Sequence, residues 1–212
     1  LGVDRAAQLR FGVCPGVPLA TPLKPRSKKA APLDAFDRTE IDFVLSGCTT
    51  TLFVEAKLTE SDFQAAAPAL LTRYRDLEAI FDIDRLPHTS TTLRVPYSSR
   101  SDEWGTNTST NPEPIDPDIP AGFLDTRPAA EPRIAGYQLI RNILAAYAAD
   151  ASFCLLLDAR RRDLIDTWYA VLSAVRSLSF ATRLRVLTWQ DLARAVPRDL
   201  QYFLAAKYGI ET

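Results

Sequence analysis

Between residues 39 and 57, apolar and polar residues follow the pattern of two short strands separated by a turn. Residues 39–45 read TEIDFVL and residues 52–57 read LFVEAK, with Ser46 and Gly47 opening the connection between them. Short segments that are rich in Ile, Phe and Val and bounded by Ser and Gly are typical of a β-hairpin. The pattern therefore predicts two neighbouring antiparallel strands here.

Helical and strand-like periodicities alternate along the rest of the chain. Ser61 caps a predicted helix that starts at Asp62, and Pro68 interrupts or restarts it. After Pro68 we predict helical spacing through Leu70, Tyr74, Leu77 and Phe81, and then a short strand over 92–95. A helix over 132–149 and a buried strand over 152–157 follow. Next come a helix with one apolar stripe (Leu164, Trp168, Val171, Val175 and Leu178) and a strand over 183–187.

A last helical region follows the strand over 183–187. Thr188 and Asp191 form a predicted capping box at its start, Pro197 divides it and Gly209 ends it. A hairpin, helices, a buried strand, a helix, a strand and a helix predict an α/β protein, with a central mixed β-sheet flanked by helices in three layers.

The length of 212 residues predicts a single domain over 1–212. Prolines mark two loose parts of it, since residues 1–32 contain five and residues 112–132 contain six. We expect 1–32 to be an irregular N-terminal segment, apart from the tail of a short helix near 5–10. We expect 97–133 to be a long mobile loop.

Composition narrows the class of protein. The chain is 47% hydrophobic and 24% charged, which suffices for a large core and is not typical of a disordered protein. No apolar run approaches the roughly 18 residues that cross a bilayer, so no membrane partner is expected. Cys14, Cys48 and Cys154 lack the spacing of a zinc site or a disulfide framework, which favours a reducing, cytoplasmic location.

Three ionic residues of the hairpin are the leading candidates for chemistry. Residues two apart on a strand share a face, so Glu55 and Lys57 project together. A tight hairpin places Asp42 opposite Phe53 or Glu55, and either register brings Asp42 to the same face. Two carboxylates and an ammonium group on otherwise apolar strands are hard to explain by folding alone.

This set of groups suits a hard divalent cation. Mg²⁺ takes oxygen ligands from one or two protein carboxylates and fills its other positions with water and substrate oxygens. Asp42 and Glu55 would supply the carboxylates, and the backbone carbonyl of Ala56 a third oxygen. Lys57 would orient a water or stabilise charge in the transition state. The competing interpretation is an edge hairpin on which Glu55 and Lys57 form a surface ion pair of little energetic value.

The chain resembles the PD-(D/E)XK nuclease superfamily, which has the restriction-endonuclease-like fold. The resemblance rests on residues 40–44 (EIDFV) and 52–57 (LFVEAK), with Asp42 thirteen residues before Glu55. It implies a Mg²⁺- or Mn²⁺-dependent deoxyribonuclease in which Asp42 and Glu55 bind metal and Lys57 is catalytic. Glu40, on the face of Asp42, is a further implied ligand. Ile41 replaces the proline of the family motif, and the acid of a preceding helix has only Asp4 as a candidate.

A second resemblance lies in residues 137–142 (YQLIRN), because many members carry a glutamine there that faces the active site. It implies that Gln138 belongs to the site, with Arg141 beside it on the helix; an equally good interpretation places both in solvent. Residues 186–192 (VLTWQDL) resemble the strand-to-helix ending of bacterial members, with Trp189 expected in the core.

The sequence is compatible with several functions. DNA is the expected partner, and basic residues at Lys24, Arg26, Lys28 and Lys29 and at 160–162 contact phosphates or form solvated loops. The lone His88 excludes a histidine dyad. The alternative to a nuclease is an inactive module of the same fold that binds nucleic acid or a protein. A scaffold that uses Trp168 and Tyr169 as an interface is a third alternative, and a homodimer is compatible with each of these functions.

Overall fold

The computed structural model describes residues 8–20, 39–89 and 132–211. These residues form eight strands: β1 (Gln8–Val13), β2 (Ile41–Ser46), β3 (Thr51–Lys57), β4 (Ala65–Ala66), β5 (His88–Thr89), β6 (Arg133–Ala135), β7 (Ser152–Leu157) and β8 (Leu184–Thr188). The helices among them are α1 (Pro68–Leu71), α2 (Leu77–Ile80), α3 (Tyr137–Ala148), α4 (Arg162–Ser173), α5 (Leu178–Ala181), α6 (Trp189–Ala195) and α7 (Arg198–Tyr208), and Ile83–Arg85 forms a 3₁₀ turn.

Five strands make a central mixed sheet in the order β1-β2-β3-β7-β8. The β1-β2 and β2-β3 pairs are antiparallel, and the β3-β7 and β7-β8 pairs are parallel. The parallel pairing places the carboxyl ends of β3, β7 and β8 at one edge, with Lys57 beside Leu157 and Leu157 beside Thr188. A separate small antiparallel sheet has the order β4-β6-β5.

Helices cover both faces of the central sheet, which confirms the predicted three-layer α/β architecture. On one face the buried side chains of Phe53, Phe153 and Leu155 belong to a core that includes residues of α3 and α4, among them Ile140 and Trp168. Burying each of these side chains contributes about 1.5–3 kcal/mol to the free energy of folding.

The opposite face has a smaller core. Leu52, Val54, Cys154 and Leu156 are buried there, and Trp189 and Leu192 of α6 pack against them. The predicted buried strand over 152–157 is thus confirmed as β7, because its side chains alternate between the two cores.

The N-terminal segment differs from its prediction as irregular chain with a helical tail. Residues Gln8–Val13 form β1, which pairs with β2 through Arg10 beside Val44 and Phe11 beside Phe43. Leu9, Phe11 and Val13 alternate with polar or small residues, a period of two that the prolines downstream obscured. Pairing with β2 supplies the backbone hydrogen bonds of this segment.

Two predicted helix starts are wrong. No helix begins at Asp62, because the Asp62 carboxylate accepts a 2.7 Å hydrogen bond from the Gln64 backbone N–H, and Gln64 has a φ of 61°. Similarly, residues 133–135 of the helix predicted over 132–149 form β6, and the helix α3 starts only after Gly136, whose φ is 74°. Both left-handed residues stop a helix from propagating.

The C-terminal elements agree better with prediction. The capping box of Thr188 and Asp191 opens α6, Pro197 separates α6 from α7, and Gly209 ends α7 in a left-handed conformation. Leu178 is the exception, because it is 82% exposed and belongs to α5 instead of the α4 stripe. The strand predicted over 92–95 and most of the loop predicted over 97–133 lie outside the described residues.

The longest helices of the described ranges, α3 and α4, have twelve residues each, and none there is long and apolar enough to cross a membrane.

Candidate active site

The β2-β3 hairpin sets the geometry of the site. Ser46 pairs with Thr51 and Phe43 with Val54, and continuing this register places Asp42 opposite Glu55. The Oδ2 atom of Asp42 accepts a 2.6 Å hydrogen bond from the backbone N–H of Ala56. Asp42 is therefore fixed against the strand that carries Glu55, in the second of the two registers expected from the sequence.

Glu55 is the most deeply buried ionic residue of the hairpin, with 0% of its surface exposed. Its Oε1 atom lies 2.8 Å from Lys57 Nζ and accepts a 2.6 Å hydrogen bond from Gln138 Nε2. Burial raises the pKa of the Glu55 carboxyl; the hydrogen bond from Lys57 opposes the rise, and the nearby negative charge of Asp42 adds to it. Burial and the charge of Asp42 thus disfavour the charged form of Glu55, and its hydrogen-bond donors favour it.

Lys57 ends β3 and turns its ammonium group back into the protein. Its Nζ atom donates a 2.9 Å hydrogen bond to Gln138 Oε1 in addition to the Glu55 contact, and Glu60 Oε1 lies 4.0 Å away. The Phe63 ring centroid is 5.8 Å from the same nitrogen. Lys57 is only 5% exposed, so the surface ion pair considered as an alternative is not what the hairpin carries.

Gln138 bridges the two charged side chains from the first turn of α3. Its amide nitrogen donates to Glu55, and its amide oxygen accepts from Lys57. The structure therefore brings Gln138 together with Asp42, Glu55 and Lys57, as the resemblance implied. Arg141 instead lies over the Tyr137 ring, with its guanidinium carbon 5.3 Å from the ring centroid.

Asn142 is a site residue that sequence reasoning missed. It is fully buried, and its Nδ2 atom donates a 2.7 Å hydrogen bond to Glu55 Oε2. Its own Oδ1 atom accepts a 2.8 Å hydrogen bond from the hydroxyl of Thr39, which is 3% exposed. The available signal was its position four residues after Gln138, on the same helical face.

Glu40 does not join this cluster through the contacts of the described residues. It is exposed, and its carboxylate lies over β1, where a β-carbon at Gly12 would be 2.9 Å from Glu40 Oε1. Gly12 has a φ of 57°. The backbone of β1, instead of the carboxylates of Asp42 and Glu55, is thus the neighbour of Glu40.

The basic residues at 160–162 are partly engaged within the protein. Arg160 pairs with Asp158, and Arg161 pairs with Asp163. Arg161 also donates to the backbone carbonyls of Glu60 and Ser61, at 2.7 and 2.6 Å. Arg161 thereby holds the loop that follows Lys57. The other candidate residues, Asp4, Lys24, Arg26, Lys28 and Lys29, lie outside the described residues.

The carboxylates of Asp42 and Glu55 are of the chemical kind that a magnesium ion takes from a protein. Asp42 and Glu55 face each other from opposing strands, close enough for Asp42 to raise the pKa of Glu55, and the backbone of Ala56 adjoins both. Mg²⁺ takes one or two carboxylates from a protein and completes its coordination with water and substrate oxygens. Within residues 8–20, 39–89 and 132–211, no three or more His, Cys, Asp or Glu side chains form a group that could hold a metal ion.

Comparison with known proteins gives one family. The profile described as Restriction Endonuclease associating with ARP (REase-ARP) matches residues 1–209. No curated protein and no solved structure gives a significant match. The match covers nearly the whole chain and agrees with the mixed sheet, its flanking helices and the motif on β2 and β3. The chain therefore belongs to the REase-ARP family and has the fold of the restriction-endonuclease-like PD-(D/E)XK superfamily.

Proposed function

We propose that this protein is a magnesium-dependent nuclease that hydrolyses phosphodiester bonds of DNA. The observation that carries the proposal is the buried network of Glu55, Lys57 and Gln138 beside Asp42, at the carboxyl end of β3. A network of two acids, a lysine and a glutamine is more than the hairpin needs in order to fold. Membership of a restriction endonuclease family supports the same chemistry.

The carboxylates would serve as the metal ligands. Asp42 and Glu55 would hold Mg²⁺ or Mn²⁺ with the backbone carbonyl of Ala56, whereas Glu40 lies over β1 and is left out of the ligand set. When bound, the ion lowers the pKa of a coordinated water and neutralises charge on the phosphodiester. Asp42 is prepared for this role by its hydrogen bond to the Ala56 N–H, which fixes one carboxylate oxygen and holds the side chain in place.

Lys57 and Gln138 would act on the water and the phosphate. The ammonium group of Lys57 is a preorganised positive charge in a site with little solvent, where it stabilises developing negative charge more strongly than in water. Gln138 contacts both Lys57 and Glu55, and so sets the distance between the Lys57 ammonium group and the Glu55 carboxylate. None of these roles requires a covalent nucleophile.

The test is cleavage of plasmid DNA with added Mg²⁺ by the wild type and by the variants Asp42→Asn, Glu55→Gln and Lys57→Met. Each variant keeps the approximate size of the side chain and is expected to lose cleavage by at least about 100-fold. Asp150→Asn is the matched control, because Asp150 precedes β7 at the opposite edge of the sheet and pairs with Arg183. Wild-type activity equal to that of all three site variants would reject the proposal.

A second candidate is a module that binds nucleic acid or a protein partner without cleaving. The observation in its favour is the burial of Glu55 and Lys57, which are 0% and 5% exposed. The family description also names association with ARP. Salt-sensitive binding of a labelled duplex, without cleavage in Mg²⁺ or Mn²⁺, would support this candidate over the nuclease, since phosphate contacts weaken as salt rises.

A further inference from the structure

The two oxygens of the Glu55 carboxylate have different surroundings. Oε1 is contacted by Lys57 and Gln138, whose side chains reach it from the end of β3 and the first turn of α3. Oε2 is contacted by Asn142, one turn deeper along α3 and fully buried. The carboxylate is therefore held at one oxygen by groups near the edge of the sheet and at the other by a group inside the core.

The side chain of Asn142 has a defined orientation in this arrangement. A carboxylate oxygen only accepts hydrogen bonds, so the Nδ2 end of the amide must face Glu55. The Oδ1 end then faces away and needs a donor, which the hydroxyl of Thr39 supplies at 2.8 Å. Thr39 lies just before β2, 103 residues from Asn142 in the chain. The three residues form one directional chain from Thr39 through Asn142 to Glu55.

Burying this series of hydrogen-bonded polar side chains costs desolvation free energy, and core packing alone does not explain why the protein has them. Three polar side chains, Thr39, Glu55 and Asn142, are each 3% exposed or less. Apolar residues of similar size at positions 39 and 142 would fill the same space without a need for partners. The hydrogen bond from Thr39 to Asn142 and the one from Asn142 to Glu55 both lead to a single oxygen of Glu55, Oε2.

We propose that Thr39 and Asn142 are positioning residues that keep Oε2 of Glu55 engaged inside the core. A divalent cation would then take Oε1, the oxygen near the edge of the sheet, in exchange for its contacts with Lys57 and Gln138. This inference rests on the proposed metal site and adds the discrimination between ions. A carboxylate with one oxygen available suits Mg²⁺ and Mn²⁺, which take few protein ligands in octahedral geometry. A carboxylate with both oxygens available suits Ca²⁺, which accepts bidentate carboxylates and higher coordination numbers.

The test measures binding of Mn²⁺ and competition by Ca²⁺, using the electron paramagnetic resonance of free Mn²⁺, for the wild type, Thr39→Val, Thr39→Ser and Asn142→Leu. Thr39→Val keeps the branched shape and removes the hydroxyl, and we expect it to weaken Mn²⁺ binding about tenfold, as loss of a partner of a metal-binding group usually does. We expect Ca²⁺ to gain relative to Mn²⁺ in the same variant. Thr39→Ser keeps the hydroxyl and should restore both values toward wild type.

The outcomes separate the two proposals. Wild-type protein that binds no Mn²⁺ overturns the metal site and, with it, this inference. Wild-type binding, with an unchanged ratio of Mn²⁺ to Ca²⁺ affinity in Thr39→Val, overturns the positioning role alone. Asn142→Leu should change the ratio in the same direction and further, provided that circular dichroism shows it folded; if it is not folded, the comparison of Thr39→Val with Thr39→Ser decides.

Discussion

Trp189 and Lys57 are 132 residues apart in the chain, and the indole N–H of Trp189 donates a 3.1 Å hydrogen bond to the backbone carbonyl oxygen of Lys57. Trp189 is the first residue of α6 and directly follows β8. Its ring packs against the smaller core of the sheet. One side chain thus fills the second face and fixes the end of the strand that carries the ammonium group.

We therefore predict that Trp189→Phe impairs the site more than its loss of stability explains. The variant keeps an aromatic ring and removes the indole donor to the carbonyl of Lys57, at a cost of about 1–3 kcal/mol in unfolding free energy. DNA cleavage should fall because the end of β3 gains freedom. Urea denaturation and plasmid cleavage measure the two effects.

The matched control is Trp168→Phe. Trp168 is 1% exposed and contacts the Phe153 ring, 6.0 Å between centroids, in the main core beneath α4. Trp168→Phe should lose as much unfolding free energy as Trp189→Phe or more, because packing in the main core is lost. Its folded fraction should cleave DNA at the wild-type rate. Equal cleavage by the two folded variants would contradict a role for the Trp189 hydrogen bond.

The buried ion pair predicts a stability loss that depends on pH. Lys57→Met leaves Glu55 as a charge without its cation inside the protein, which is expected to lower the unfolding free energy by about 3–5 kcal/mol at pH 8. Burial raises the pKa of Glu55, and Lys57→Met removes a donor that lowers it. The variant therefore gains more stability than the wild type when Glu55 takes up a proton. The loss should therefore shrink as the pH falls toward 5, as measured by urea denaturation at both pH values.

The double variant Glu55→Gln/Lys57→Met provides the control for this interpretation. With neither charge present, the pH-dependent part of the loss should disappear and part of the stability should return, since no unpaired charge remains buried. A loss in Lys57→Met that is the same at pH 5 and pH 8 would show that Glu55 does not carry the effect.

The parts of the fold and of the site that the sequence predicted are those whose pattern lies within a single segment of the chain. Residues 153–157 are apolar throughout, and the prediction of a buried strand over 152–157 needed nothing beyond the segment itself. The hairpin motif likewise placed Asp42, Glu55 and Lys57 on one face, and the β2-β3 register agrees. In contrast, Gln8–Val13 carries only a short period-two pattern, and the pairing with β2 that completes the strand lies outside the segment.

Asn142 shows the same limit within the site. A single asparagine in an apolar helix has many explanations, and its meaning depends on Glu55 and Thr39, which are 87 and 103 residues away in the chain. Gln138 was identified through resemblance instead of through periodicity. Partners that converge from distant elements are what the pattern of one segment cannot contain.

Gly136 determines where α3 begins and hence where Gln138 lies. Its φ of 74° is costly for any residue with a β-carbon, about 1–2 kcal/mol, and a β-carbon there would lie 2.8 Å from Val171 Cγ2 of α4. We predict that Gly136→Ala lowers the unfolding free energy by at least that amount and displaces the first turn of α3. Chemical denaturation measures the first effect, and DNA cleavage by the folded protein the second.

Gly16→Ala is the control for this substitution. A β-carbon at Gly16 would meet no atom within 4 Å, and Gly16 is not among the residues with positive φ. The change should therefore leave stability within about 0.5 kcal/mol of wild type. Similar losses at the two glycines would contradict the conformational argument for Gly136.

Asp158 provides a last prediction, on stability in acid, because its carboxylate is anchored where β7 meets α6. Asp158 accepts hydrogen bonds from the backbone N–H and the guanidinium of Arg160, and from the Gln190 amide at 2.8 Å. Hydrogen bonds from Arg160 lower the pKa of Asp158 to about 2, against an ordinary value of 3.8. A group whose pKa is lowered on folding stabilises the protein above its unfolded pKa, and that stabilisation is lost as the pH falls through the folded value.

Asp158→Asn should therefore cost about 1.5–3 kcal/mol at pH 7, the value of hydrogen bonds to a charged group, and the difference from wild type should shrink between pH 4 and pH 2. Thermal unfolding across this range measures it. Asp163→Asn is the control: Asp163 also pairs with an arginine, but its side chain is 60% exposed, so its loss at pH 7 should be smaller. A difference between wild type and Asp158→Asn that stays constant down to pH 2 would mean that the carboxylate charge is not what anchors α6 to β7.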